Sequence, residues 1–202
     1  MLAFERRAKK EGFTVIIGID EAGRGPLAGP VVAAAVHLKT FSFKNRIDDS
    51  KKLTPQQRAR AFDEIMGKAC FGVGVIGESV VDSINVSAAA NRAVDTAVGR
   101  LAWRLRQQGL DLQKTILLLD GRLKSSLPYS AKEIIGGDGR SLSIAAASII
   151  AKVVRDKLMV VYDRLYPQYG FSRHKGYGTA GHFDRIAKFG LSPIHRRTFC
   201  RR

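Results

Sequence analysis

Thr14-Val15-Ile16-Ile17-Gly18-Ile19-Asp20-Glu21-Ala22-Gly23-Arg24-Gly25-Pro26 is the stretch whose reading decides the fold. Its first six residues are short, apolar and mostly β-branched, which predicts a buried strand. Two carboxylates end that strand, and a turn rich in glycine and proline follows. A dinucleotide-binding turn would lead into a helix. Here Val31 to Leu38 reads as a second strand, and the chain has no Walker A pattern. Outward from this pair, Thr54-Pro55-Gln56-Gln57 predicts a helix start, with Thr54 as N-cap and Gln57 closing a capping box. That helix is expected to run to about Ala69. Cys70 to Ile76 predicts a third strand. A long helix is expected from Ser83 or Ser87 to Gln108, with Gly109 ending it. Thr115 to Leu119 and Lys132 to Ile135 predict two more strands. Helices are expected over Ser143 to Leu165 and Thr179 to Phe189. The alternation predicts an α/β fold: a mixed five-stranded sheet flanked by helices on both faces. The basic segment after Pro167 reads as a C-terminal helical extension, which divides the chain into 1–166 and 167–202.

Composition bounds what such a chain does. Its 202 residues suffice for one domain with a sizeable core, and 45% hydrophobic with 26% charged residues excludes a disordered chain. The net charge is +16, which calls for a polyanionic partner, nucleic acid before an anionic membrane surface. The charge is uneven. Residues 1–70 carry +5, residues 71–140 carry +2, and residues 141–202 carry +9, so the last third is the expected footprint on a phosphate backbone. Cys70 and Cys200 make no disulfide framework and fit a reducing, cytoplasmic setting. The charged N-terminal stretch is not read as a signal peptide, and the apolar run Ile144 to Ala151 is too short to span a bilayer.

Only 18 residues are acidic, and four of them sit where a sheet gathers them. Asp20 and Glu21 end the first strand, Asp120 ends the fourth, and Asp138 follows the fifth inside Gly136-Gly137-Asp138-Gly139. Open α/β sheets place their chemistry at such strand ends. Carboxylates brought together repel unless protons or cations lie between them, and all-oxygen donors suit Mg²⁺ or Mn²⁺. Taken singly, Asp120 or Asp138 also fits an ordinary turn former or helix cap. Both readings stay open on the residues alone. His37, His174, His182 and His195 lack zinc-ligand spacing.

Three further segments carry binding chemistry. Gly23-Arg24-Gly25 offers close backbone approach and a guanidinium to a phosphate; an ordinary inter-strand loop is the alternative. Lys51, in Asp49-Ser50-Lys51-Lys52-Leu53, is a phosphate contact or a solvated loop residue. His174-Lys175-Gly176-Tyr177-Gly178-Thr179 places Tyr177 between glycines in the most basic third, suited to a sugar or base. Arg173, Lys175, Arg196 and Arg197 are expected to form a backbone-contact surface.

Gly18 to Pro30 resembles the opening signature of the bacterial ribonuclease HII family. The Asp49 to Leu53, Leu119-Asp120-Gly121, Ser143 to Val153, Tyr166 to Phe171, His174 to Tyr177 and Pro193 to Arg197 blocks resemble that family's later motifs in the same order. The similarity runs from about residue 15 to 200. The related type HIII enzymes resemble the chain too but carry a large extra N-terminal domain, and the 19 residues before Asp20 lead to the expectation of type HII. The resemblance implies an RNase H-like fold with a C-terminal helical extension. It implies that Asp20, Glu21, Asp120 and Asp138 are catalytic, metal-binding carboxylates for two Mg²⁺ or Mn²⁺ ions. It also implies that Gly23, Arg24 and Gly25 grip the ribonucleotide, and that Tyr177 reads the RNA-to-DNA step. Gly136 departs from the lysine usual in the family, which touches a local substrate contact or metal tuning. The expected activity is an endoribonuclease that hydrolyses the RNA strand of RNA–DNA hybrids. It is also expected to cut on the 5′ side of single ribonucleotides in duplex DNA, leaving 3′ hydroxyl and 5′ phosphate ends. The alternatives are a metal-dependent DNA nuclease or integrase on the same sheet, and a non-catalytic nucleic-acid binder. Expected partners are the hybrid and ribonucleotide-containing DNA. A replication clamp on the C-terminal tail stays open, no membrane is expected, and the chain is expected to be a monomer.

Overall fold

The computed structural model describes residues 1–200. Arg201 and Arg202, the end of the expected basic tail, lie outside the described residues. In chain order the elements are helix α1 (Ala3–Lys10), strands β1 (Val15–Ala22) and β2 (Val31–Leu38), helix α2 (Pro55–Lys68) and strand β3 (Ala69–Ile76). Helices α3 (Glu78–Ile84) and α4 (Val86–Gln107), strands β4 (Thr115–Asp120) and β5 (Ser130–Ile134), and helices α5 (Leu142–Leu165), α6 (Phe171–His174) and α7 (Ala180–Phe189) follow. The strands form one mixed sheet in the order β3-β2-β1-β4-β5. The β1–β2 and β2–β3 pairs are antiparallel; β1–β4 and β4–β5 are parallel. This is the five-stranded mixed α/β sheet that the strand pattern predicts.

Strand periodicity positions the site. Val15, Ile17 and Ile19 of β1, with Leu117 and Leu119 of β4, join the apolar layer containing Ala93, Ala97 and Leu101 of α4. Ile16, Ile116 and Leu118 point to the opposite face and meet Ile144 of α5 and Ala8 of α1. Gly18 lies on that second face. A Cβ there would fall 2.1 Å from the Ser143 carbonyl carbon, so only glycine lets α5 rest directly on β1. Side chains alternate along a strand, so Asp20 and Asp120, two residues beyond Gly18 and Leu118, share the α5 face. The parallel register pairs Ile19 with Leu119, which makes the two aspartates neighbours at adjacent strand ends.

The helices depart from the sequence reading in three places. The helix expected from Ser83 or Ser87 to Gln108 is present as α4, and a short helix that the sequence does not predict, α3, precedes it, the two separated at Asn85. Asn85 adopts φ 65°, and its side chain accepts from the Ser87 and Ala88 amides. Asparagine tolerates the left-handed region and is a strong N-cap, which makes the break. Helices α1 and α6 were not expected. The first is held by a distant contact: buried Glu5 accepts from the Ser141 and Ser143 hydroxyls and the Ser143 amide, at 2.6–3.0 Å, at the start of α5. The capping box on α2 is present, with Thr54 and Gln57 bonded reciprocally at 2.9 and 3.2 Å. After α5 the chain packs back on the body, where Tyr169, Phe171 and Ile194 bury against Ala28 and Met159. No helix among the described residues is long and apolar enough to cross a membrane.

Candidate active site

The end of β4 builds the acidic part of the site. One Asp120 oxygen accepts the Gly137 amide at 2.6 Å and the Asp138 amide at 3.4 Å. The carboxylate on one strand thereby holds the turn that carries the next. Asp20 arrives from β1, buried, with an oxygen accepting the Glu21 amide at 2.7 Å. One oxygen each from Asp20, Asp120 and Asp138 lies within 4.8 Å of the other two. Glu21 has the opposite strand parity and is not among these three converging groups. Its carboxylate lies 3.4 Å from the Arg24 guanidinium and beside Asp20.

Electrostatics ask for a cation here. Burial, then the charges of Glu21 and Asp120, push the Asp20 carboxyl well above the usual range. Burial, with the charge of Glu21, raises Asp120, and burial with the charges of Asp120 and Asp49 raises Asp138. Lys51 is the cation nearest to Asp138, its Nζ 3.7 Å from the carboxylate, but its side chain is 79% exposed and its charge is screened by solvent. Three hard oxygen donors without an adequate counter-charge fit a divalent ion of the Mg²⁺ or Mn²⁺ kind.

The second wall is the loop from Gly23 to Pro30. Gly23 has φ 95°, and a Cβ there would sit 2.1 Å from Nε of Arg155. Two fully buried arginines, Arg155 and Arg196, hold this loop by its carbonyls. Arg196 donates to Gly23, Arg24, Pro26 and Gly29; Arg155 donates to Ala28 and Pro30, and to Lys175 of the following wall. Neither makes a salt bridge among the described residues. Burial lowers the Arg196 guanidinium to about 10, so it stays charged at neutral pH, balanced by carbonyl dipoles. This corrects the sequence reading of Arg196 as a phosphate contact: it is an internal clamp, while neighbouring Arg197 is exposed. An arginine and its neighbour look alike in sequence, and only packing separates them.

Tyr177 closes the cleft from the tail. It is 45% exposed, its ring edge stands 4.0 Å from where a Cβ on Gly25 would lie, and the Lys152 and Arg155 cations flank the ring at 5.9 Å. A cleft of about 290 Å³ is lined by Asp20, Glu21, Gly23, Arg24, Gly25, Lys51 and Tyr177, which the structure therefore brings together. Asp120 and Asp138 adjoin it through Asp20. Ser50, Ser148, Lys152 and Arg155 also line it, and the sequence reading did not single them out. Ser148 and Lys152 lie one helical turn apart on α5, a spacing that marks a shared face but not which face meets a ligand. The Ser50 amide donates to the Ser148 hydroxyl at 3.2 Å, which fixes the Lys51 loop on α5.

A family model described as Ribonuclease HII matches residues 17–202. The chain is 52% identical over 197 residues to a ribonuclease HII of Geobacter sulfurreducens, covering 97% of this chain and 87% of the relative. It is 50% identical over 200 residues to one of Ruminiclostridium cellulolyticum, covering 98% and 75%. Among solved structures, the ribonuclease H2 of Pyrococcus horikoshii superimposes with a TM-score of 0.69 at 21% identity, over 92% of this chain and 93% of that one. The RNase HII of Archaeoglobus fulgidus, in a structure of its complex with PCNA, gives 0.68 at 23% identity, over 93% and 96%. These two likenesses carry the fold.

Proposed function

The chain belongs to the ribonuclease HII family and is a ribonuclease H hydrolase, and from that premise we propose that it is an endonuclease cutting RNA paired with DNA, including single ribonucleotides embedded in duplex DNA. The observation that carries the reading is the convergence of Asp20, Asp120 and Asp138 beside the cleft that Gly23, Gly25 and Tyr177 wall. Asp20, Asp120 and Asp138, with Glu21 alongside, would hold Mg²⁺ or Mn²⁺ ions, two in the working state, which when bound would supply an activated water and charge for the leaving 3′ oxygen. The chain's own groups do the selecting. Glycines 23 and 25 allow backbone groups to reach a 2′ hydroxyl, which both donates and accepts. Arg24, Lys51 and Lys152 offer charge to the flanking phosphates. The Tyr177 ring packs on the adjoining sugar. Cleavage falls on the 5′ side of the ribonucleotide and leaves 3′ hydroxyl and 5′ phosphate ends.

Within this proposal residues 1–166 carry the cutting groups, and the segment from 167 contributes Tyr177 and basic surface. The working form is a cytoplasmic monomer, with a replication clamp as the partner of that segment. A labelled duplex with one ribonucleotide, assayed with and without Mg²⁺ beside an all-DNA duplex, tests the activity. Metal-dependent cleavage confined to the ribonucleotide strand is expected; equal cleavage of the all-DNA duplex overturns the reading.

A further inference from the structure

Three histidines from separate places in the last third of the chain meet beneath Tyr177. His182 on α7 and His195 after it are buried, and their Nε2 atoms are 3.0 Å apart. His174 stacks on His182 with centroids 4.1 Å apart. The aromatic rings of Phe171 and Tyr169 cover the cluster.

The hydrogen-bond pattern allows one proton arrangement. The Ser192 amide points at Nδ1 of His195 at 2.9 Å, and an amide only donates, so that nitrogen carries no proton. The proton of the neutral ring is therefore on Nε2, where it donates to Nε2 of His182. His182 then keeps its own proton on Nδ1 and donates it to the Tyr177 carbonyl at 2.9 Å. His174 is fixed likewise: its Nδ1 accepts the Gly176 amide at 3.2 Å and its Nε2 donates to the Tyr169 carbonyl at 3.0 Å. Both ends of the relay touch the cleft walls. The Ile194 carbonyl accepts the Gly29 amide, the Arg196 amide donates to the Leu27 carbonyl, and the Gly176 carbonyl accepts the Leu27 amide. The segment around His195 is thus bonded to the Gly23–Pro30 loop, and the other end of the relay is bonded to the peptide of Tyr177.

We infer that His195 and His182 are positioning residues that set the Tyr177 ring against the Gly23–Gly25 loop, so that discrimination at a single ribonucleotide depends on their directed hydrogen-bond relay. The inference rests on the reading of Tyr177 given above. Neither histidine lines the cleft, so each acts through Tyr177.

Two substitutions at one position separate positioning from mere packing. His195→Asn keeps an acceptor for the Ser192 amide but ends short of His182. His195→Gln reaches His182 with an amide N–H. Single-turnover rates are measured on a duplex with one ribonucleotide and on a continuous RNA–DNA hybrid, together with melting temperature. For His195→Asn we expect a loss of about tenfold on the lone ribonucleotide, the rate equivalent of one hydrogen bond, and a much smaller loss on the hybrid. His195→Gln restores most of the difference. Tyr177→Ala shows the same selective loss, and adding His195→Asn to it changes the ratio no further. If Asn and Gln variants lose rate alike on both substrates, in step with melting temperature, the histidines only support the fold and the inference falls. If Tyr177→Ala is selective and His195→Asn is not, the relay alone falls. If Tyr177→Ala is itself unselective, the reading beneath it falls as well.

Discussion

Asp20, Asp120 and Asp138 hold more negative charge than their surroundings neutralise, and this governs what single substitutions do. Each carboxyl has its folded-state pKa raised, with burial as the first cause. A raised carboxyl pKa means that the folded protein binds the proton more tightly than the unfolded chain. Stability is therefore lost as pH rises from the ordinary carboxylate range through the raised values, unless cations bind. Asp120→Asn or Asp138→Asn is expected to raise the melting temperature of the ion-free protein at neutral pH, with the gain vanishing in acid. The same variants should lower turnover by roughly 10²- to 10³-fold, as loss of a preorganised charge does, with duplex affinity little changed. Thermal melts across pH, with and without Mg²⁺, check the first point, and single-turnover rates the second. Near-normal turnover for either variant removes that residue from the site.

Elements here are placed by side chains that reach across the sequence. Arg196 lies in the tail, yet four carbonyls of the Gly23–Pro30 loop converge on it. Arg196→Met should cost about 3–5 kcal/mol, because several buried carbonyls lose their donors together. Arg196→Lys should rescue little, since one ammonium cannot replace a planar fork. Chemical denaturation reads the cost, and full stability in Arg196→Met would refute the clamp. A second anchor joins α2 to the loop before it. Glu64 accepts from Lys68 Nζ and from the Lys44 and Asn45 amides at 2.7–2.8 Å. The Lys68 ammonium, then the Lys44 amide, lower its carboxyl from 4.5 to about 2. Its contribution is present above pH 4.5 and is lost as pH falls toward 2. Glu64→Gln should destabilise by about 1–3 kcal/mol at neutral pH, and the gap to the parent protein should close over that acid window. A gap independent of pH would assign the loss to packing.

For the whole molecule the +16 charge sets the affinity for a polyanion. Phosphate contacts release counterions, so duplex affinity should fall about tenfold or more from low to moderate salt. Removing the tail to test its share is confounded, because Tyr169, Phe171, Ile194 and Arg196 are buried parts of the body. Exposed charges give the clean comparison. Arg173→Gln with Arg197→Gln should weaken binding and flatten the salt slope more than Arg6→Gln with Lys10→Gln on α1. Equal effects would spread the footprint over both ends. Titration binding at several salt concentrations decides it. Acid acts on the same tail through histidine. Burial, then the charge of His182, lowers His195 to about 4, so the fold loses stability as pH drops from 6.5 toward 4 while the unfolded ring gains its proton. The groups facing it are His182 and, behind that, His174, with no carboxylate among the named contacts.

Local chemistry was enough for the strands, the capping box at Thr54 and the acids at strand ends, since periodicity and turn residues act over a few positions. Residue order and motif sufficed for the family as well. That Asp20 and Asp120 share a face follows from strand parity, but only the parallel register made them neighbours. Glu21, adjacent in sequence, stands outside the converging three for the same alternation. The tail was legible as basic and helical. Its interior role was not: Arg196 and Arg197 differ only in which side of one backbone turn meets the core. The histidine relay was invisible for the same reason. Its central bond, between His182 and His195, joins residues 13 apart and carries no local pattern, and the direction of each proton is settled only when every buried donor must find an acceptor.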